Sequence, residues 1–337
     1  MIVEDLDLLP HNPLVTAFVF TFNQENLVSQ TIDSILAQQC SFEYEIVICD
    51  DCSKDSTLTV CLGYQQQHPN LIRVVENDRN LGIKCNFFHN IFKYARGKYV
   101  ASCAGDDWWS DPLKLQKQVE CLENDTTYDL VHTYASVFID KERKFARNLI
   151  GSPKCSFREN LLNNRVAALT MCFTLKSFKE YVEDINPMEL PYSEDYPLVL
   201  WYSYKGKIRF LPEVTSVYRL LTHSLSHSTD VKKVYKDPLD FFNCGMYFVN
   251  HFHFDDDDVI KYMRLHFFIK RMRYAHLLGD RENVKKGELF FMNNGYVVFW
   301  ILSKVYRIAG SNEKANSLVY LMERIVRRLH LSRKLFV

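Results

Sequence analysis

The chain has 337 residues, 47% of them hydrophobic and 14% aromatic, enough for a sizeable core and for about one to three domains. Its 41 Lys and Arg balance 41 Asp and Glu, so no global field draws it to nucleic acid, and an anionic partner needs a local site. The start, MIVEDLDLLPHNP, is acidic with no apolar core of signal-peptide length, and no run of about 18 apolar residues predicts a spanning helix, so a cytoplasmic protein is expected.

The first third alternates. LVTAFVF (14–20) predicts a strand ending at TFNQEN, where Asn23 can cap a helix over 27–39. YEIVIC (44–49) predicts a second strand and 53–67 a capped helix, in which Asp55 is the expected cap. LIRVVEN (71–77) predicts a third strand, 82–95 a helix with Ile83, Phe87, Ile91 and Tyr94 on one face, and KYVASCA (98–104) a fourth strand. Strand and helix alternating with short connections imply βαβ units and a parallel, doubly wound sheet. Such sheets bind ligands at the carboxyl ends of their strands, where Phe22, Asp50/Asp51 and Asp106/Asp107 all fall.

The pattern then loosens. A helix is expected over 111–124, a strand over 128–140, and a loop feeding a helix over 190–206. Residues 207–220 suggest a short strand pair, and 141–170 give no clear period. From Pro238 the chain turns helical, rich in Phe, Tyr, Lys and Arg, which divides it into 1–232 and a helical region over 233–337. The ten cysteines are scattered, and Cys49/Cys52 form the only C-x-x-C, without the further ligands of a closed zinc site. Adjacent carboxylates at strand ends suit a hard divalent cation that holds a diphosphate as well, and Asp106/Asp107 have that setting.

Seven motifs stand in a fixed order: FTFN (20–23), SILAQQ (34–39), DDCSKDST (50–57), NLG with ARGKY (80–82, 95–99), GDD (105–107), SEDYPL (193–198) and YRLLTHSLS (218–226). Together they resemble family 2 glycosyltransferases of the GT-A fold over roughly residues 14–228. That resemblance implies a mostly parallel, Rossmann-like α/β sheet and an inverting, metal-dependent transfer from a nucleotide sugar, expected to be a UDP-sugar. Thr21, Phe22 and Asn23 would line the nucleotide site, with Phe22 stacking on the base. Asp51 would accept a hydrogen bond from the base N–H, and Asp50 would help structurally. Asp106 would lie near the ribose, and Asp107 would ligate Mn2+ or Mg2+. The usual Asp-x-Asp motif has Gly105 at its first position here. Lys84 would either touch the diphosphate or stand as a solvated helix lysine. Asp195 matches the general base and Glu194 an orienting partner. His227, in preference to His223, would be a metal ligand, and Arg219 would either pair with a phosphate or brace the Glu194–Asp195 loop.

The resemblance also implies an acceptor in a surface polysaccharide or a lipid-linked saccharide. An amphipathic basic helix at 318–337 would pack on the catalytic domain or a second subunit, or lie on a membrane surface. A sugar nucleotidyltransferase should carry a glycine-rich loop after the first strand, and VFTFNQEN has no glycine. A degenerate sugar-nucleotide-binding module should have lost Asp107 or Asp195, and both are present.

Overall fold

The computed structural model describes residues 2–3, 8–191, 193–221, 231–277, 279–296 and 299–300. His223, His227 and the helix expected at 318–337 lie outside the described residues. The chain divides into two compact units, Met1–Ser224 and Leu225–Val337.

The first unit is built on strands β1 (Ile2–Val3), β2 (Val15–Thr21), β3 (Tyr44–Asp50), β4 (Ile72–Glu76), β5 (Tyr99–Ala104), β6 (Trp108–Trp109), β7 (Leu130–Ile139), β8 (Lys144–Phe145), β9 (Cys172–Thr174) and β10 (Ile208–Leu220). They form one sheet in the order β1-β4-β3-β2-β5-β9-β7-β10-β6, with β8 added to β7. The segment β4-β3-β2-β5 is parallel, β9 is inserted antiparallel between β5 and β7, and β7 and β10 run parallel. All seven residues of β2 and six of the seven in β3 are buried, as continuous apolar runs covered on both faces should be. Helices α1 (Val28–Leu36), α2 (Thr57–Gln67), α3 (Gly82–Tyr94) and α4 (Lys114–Asn124) follow β2, β3, β4 and β6. Their apolar stripes, including Ile32, Ile35, Cys61, Leu115 and Val119, pack with Val15, Ala17, Ile46, Ile48 and Ala101 into the main core.

The ARG of ARGKY has a physical account. Arg96 donates from Nε and a terminal nitrogen to the buried Glu45 carboxylate at 2.9 and 2.6 Å. A side chain at Gly97 would lie 2.7 Å from the Val15 carbonyl carbon, so β2 passes too close for any residue but glycine. The expected strand pair at 207–220 is instead the single 13-residue strand β10. Its register to β7 slips between Phe210 and Val214, and Pro212, which has no N–H for a ladder, falls in that slip. The stretch without a clear period contains a short helix, α5 (Phe157–Leu162), closed by a Ser156–Glu159 capping box. Two further helices, α6 (Leu175–Ile185) and α7 (Asp195–Tyr204), complete the unit.

In the second unit, α8 (Val231–His251), α9 (Asp257–Leu277) and α10 (Arg281–Asn293) surround a core of Leu265, Ile269, Met272, Phe291 and Phe299. Pro238 lies inside α8 rather than at its start. Among the described residues no helix is long and apolar enough to cross a membrane.

Candidate active site

Three parallel strands end together. Thr21 pairs in register with Asp50, and Phe20 with Ala104. Asp51 N then donates to Thr21 O at 2.9 Å and Gly105 N to Phe20 O at 2.8 Å, so three turns leave the sheet at one edge. Phe22 is 40% exposed there, an aromatic face open to a ligand. Asn23 does not cap a helix. It has a left-handed φ of 53°, and its side-chain oxygen accepts from Lys54 N at 2.8 Å, fastening the first turn to the second. Thr21 is buried and donates to Gln24 Oε1 at 2.8 Å, and α1 begins only at Val28. Asp55 accepts from Thr57 N at 3.0 Å and Glu25 N at 3.2 Å, so it closes the start of α2 and joins the same two turns.

Asp50 is buried and accepts from Ser53 N at 2.9 Å and Ser53 Oγ at 2.5 Å, and burial raises its pKa. Asp51 serves the protein more than its motif suggests. Its Oδ1 accepts from Asn77 Nδ2 and Leu81 N, and its Oδ2 from Gly82 N, all at 2.8 Å. It therefore shapes the NLG turn that opens α3. A carboxylate has about four acceptor positions, so one remains. Behind it, Asn77 and Asn90 both donate to Asn86 Oδ1, at 3.1 and 2.5 Å, in a buried network. The motifs do not include these asparagines. Their signal is an i, i+4 pair, Asn86 and Asn90, on the apolar side of α3.

Cys52 adopts φ 61°, a left-handed conformation that costs a residue with a Cβ about 1–2 kcal/mol. The turn survives because Asp50 grips Ser53 on one side and Asn23 grips Lys54 on the other. Cys52→Gly is expected to raise stability in urea unfolding by up to about 1 kcal/mol, relief of strain being partly offset by added unfolded-state entropy. An unchanged or lower midpoint would show that the turn carries no strain. All ten cysteines are free, and burial pushes Cys49 well above the usual thiol range, away from metal or redox chemistry.

The acidic turn follows β5. A side chain at Gly105 would meet Gln24 Oε1 and lie 2.9 Å from Thr21 Cβ, so the turn has no room for the first acid of Asp-x-Asp. Asp107 is buried, its Oδ1 accepts from Arg219 N at 2.7 Å, and Thr31 Oγ1 donates to its carbonyl at 2.6 Å. Burial first, and the neighbouring Asp106 charge second, push the Asp107 carboxyl well above its usual range. Asp106 is raised too, chiefly by burial. Among the described residues Arg219 does not bond the Glu194–Asp195 loop. Its buried guanidinium donates to Asp106 O at 2.8 Å, to Asp140 at 2.8 Å and to Gln30 Oε1, and stacks over Trp108 at 4.8 Å. Among the described residues no three His, Cys, Asp or Glu side chains cluster as a protein-only metal cage. The donor set nonetheless fits a magnesium-like ion held by one or two carboxylates and substrate phosphates. Asp107 Oδ2 has no hydrogen-bond partner among the described residues, and a cation would offset the burial of this carboxylate.

Glu194 and Asp195 stand at the start of α7. Asp195 is held on both oxygens: Ser193 Oγ at 2.6 Å and Tyr196 N at 2.8 Å donate to Oδ1, and Asn164 Nδ2 donates to Oδ2 at 3.3 Å. Burial raises its pKa, and these donors work against the rise. Glu194 Oε2 is buried with no hydrogen-bond partner among the described residues, and burial together with the Asp195 charge pushes Glu194 up to about 8. Lys84 is not a solvated lysine. It donates to the carbonyls of Met188 at 3.2 Å and Leu190 at 2.5 Å, so the first turn of α3 grips the segment leading to the acidic pair. Asn164 comes from the stretch without a clear period, and no sequence pattern marks it.

Residues 16–184 match the family model described as glycosyl transferase family 2. An uncharacterized Mycobacterium tuberculosis protein is 32% identical over 224 residues, 64% of this chain, and the chain spans 62% of that relative's length. The Escherichia coli UDP-Glc:alpha-D-GlcNAc-diphosphoundecaprenol beta-1,3-glucosyltransferase WfaP is 26% identical over 63% of this chain and 80% of its own. Among solved structures, mannosyltransferase PcManGT from Pyrobaculum calidifontis, in complex with GDP-Man and Mn2+, superimposes at TM-score 0.55. That superposition covers 96% of this chain and 88% of the other at 14% identity, a likeness of fold.

Proposed function

The chain belongs to glycosyltransferase family 2, and on that premise we propose an inverting transfer of a sugar from a nucleotide sugar, a UDP-sugar, to an acceptor hydroxyl in surface-polysaccharide or glycolipid assembly. The observation that carries this reading is the convergence of Phe22, Asp50/Asp51 and Asp106/Asp107 where β2, β3 and β5 end in register. The diphosphoundecaprenol acceptor in the name of the E. coli relative supports the acceptor class.

In this mechanism Phe22 stacks on the base and the remaining lone pair of Asp51 accepts from its ring N–H. Asp106 faces the ribose, and Asp107 Oδ2 would hold Mn2+ or Mg2+. When bound, the cation would offset charge on the nucleoside diphosphate leaving group. The acceptor oxygen attacks the anomeric carbon, its proton passes to Asp195, and the diphosphate departs with the electrons of the broken C–O bond. Lys84 acts on the segment carrying the base rather than on phosphate.

The two carboxylates divide the work by environment. Asp195 has three donors that favour its anion, whereas Glu194 has a buried oxygen with no partner among the described residues and keeps its proton up to about 8. The folded protein therefore binds a proton that the unfolded chain has released once pH exceeds about 4.5, the ordinary Glu value. Stability should fall as pH rises from there to about 8 and then level off. Glu194→Gln is expected to flatten that fall and remove an inflection near 8 from the pH–rate profile, leaving most of the activity. A parent-like inflection in Glu194→Gln would assign it to another group.

The test is a panel of UDP- and GDP-sugars, each with and without Mn2+ or Mg2+, read by thermal shift and by sugar release. Stabilisation by a UDP-sugar that needs the cation is the expected result. No stabilisation by any member of the panel would overturn the reading.

A further inference from the structure

One surface element has no part in this chemistry. After β7 the chain makes a single 3-10 turn at Asp140–Glu142, passes through Arg143 at a left-handed φ of 53°, and returns as β8. Phe138 pairs with Phe145 and Ile139 with Lys144, while Ala135 and Ile150 exchange backbone hydrogen bonds at 2.9 Å, so residues 135–150 form a fastened hairpin. Its tip is unusual for a surface. Phe145 is 56% exposed and Leu149 46%, and neither side chain carries a polar atom. The Phe138 ring of the neighbouring strand meets the Phe145 ring edge-on at 5.3 Å.

Lys141, Arg143, Lys144 and Arg147 are exposed on the same hairpin. Glu142 neutralises Lys144 at 2.5 Å, and Asp140 is committed to Arg219 at 2.8 Å. Arg143 approaches the same Asp140 Oδ1 at 3.8 Å. Lys141 and Arg147 have no carboxylate within ion-pair distance among the described residues. The hairpin therefore exposes two apolar side chains together with four cations and two acids, one of those acids being committed to Arg219.

We propose that this hairpin docks on an anionic lipid bilayer, with Phe145 and Leu149 seated among the headgroups and Lys141, Arg143 and Arg147 on lipid phosphates. The charge pattern selects this occupant. Lys141, Arg143, Lys144 and Arg147 against Asp140 and Glu142 leave the hairpin with a net positive charge beside its exposed apolar side chains, which suits an anionic surface. Apolar insertion and cation–phosphate attraction reinforce each other at a bilayer surface. The inference is independent of sugar transfer. It also orients the molecule: Asp140 in the hairpin turn is held by Arg219, which grips the Asp106–Asp107 turn, so the docked edge is the one carrying the acidic turn.

The experiment is co-sedimentation of the full chain with vesicles of phosphatidylglycerol in phosphatidylcholine, and with phosphatidylcholine alone, at low and high salt. The parent should bind the anionic vesicles only and release them in salt. Each uncompensated cation near the surface is worth about fivefold in partitioning, so Lys141→Gln/Arg143→Gln/Arg147→Gln should weaken binding on the order of a hundredfold. Phe145→Asp/Leu149→Asp should weaken it on the order of tenfold or more. All five side chains are exposed, so both variants should keep the parent's melting temperature, which checks their fold. Parent-like binding by either variant would place the contact elsewhere in the chain and overturn the proposal. So would failure of the parent to bind anionic vesicles, equal binding to neutral ones, or a protein partner captured through Phe145 in the absence of lipid.

Discussion

Asp195→Asn is expected to lower single-turnover sugar transfer by about 10²–10⁴-fold, the range for loss of a positioned general base. The substitution is nearly isosteric. An asparagine oxygen can still accept from Ser193 Oγ and Tyr196 N, so the start of α7 should keep its form. What disappears is the capacity to take the acceptor proton. Nucleotide affinity should survive, because the strand ends carrying Phe22, Asp51 and Asp107 are shaped by hydrogen bonds of their own, to Lys54, Leu81 and Arg219. The checking measurement pairs transfer rate with a UDP titration of the same variant. Parent-like transfer would remove Asp195 from the chemistry, whereas loss of both transfer and UDP affinity would mean that it holds the site's structure. Asn164→Ala should have a smaller effect that grows as pH falls, since Asn164 favours the Asp195 anion that burial opposes.

Arg219→Met is the second large expectation, and it concerns stability. The residue is 4% exposed and its guanidinium joins four places: Asp106 O, the Asp140 carboxylate, Gln30 on α1 and the Trp108 ring. Methionine keeps much of the volume and retains the backbone N–H that donates to Asp107 Oδ1. The change therefore isolates the loss of charge. Removing one partner of a fully buried ion pair commonly costs about 3–5 kcal/mol; Asp140 is 32% exposed and can regain water, so about 2–3 kcal/mol is expected, which for a unit of this size lowers Tm by roughly 5–10 °C. Calorimetry of the two proteins under identical buffer conditions checks it. A loss below about 1 kcal/mol would class the Arg219–Asp140 pair with solvated surface bridges.

The parallel half of the sheet is legible in the sequence because its strands are buried on both faces. Val15–Thr21 and Tyr44–Asp50 show as apolar runs with turn residues behind them. The acids at their ends are legible as positions, but the sequence does not show that Asp50 and Asp51 also shape the turns around them. What stays hidden is the identity of their partners. Asn23 has the local chemistry of a helix cap, but its neighbour Lys54 lies 31 positions away. Lys84 bonds across 104 and 106 positions, and nothing in the composition of α3 indicates carbonyls so far along the chain. Pro212 suggests a break in β10 because the slip that accommodates it depends on a neighbouring strand. Ser156–Glu159, in contrast, carries the S-x-x-E signature, which marks α5 inside a stretch that has no other period.

The Arg219–Asp107 contact also sets an order of events during synthesis. The two residues are 112 positions apart, and β10 is the last strand of its unit to leave the ribosome. Until it emerges, the strands carrying Phe22, Asp51 and Asp107 can pair, but the acidic turn lacks the backbone donor and cation that fasten it. A nascent chain stalled before residue 208 should thus be sheet-rich yet unfinished at its working edge, and open to chaperones there. The catalytic unit matures from its last strand backward to its earliest turns.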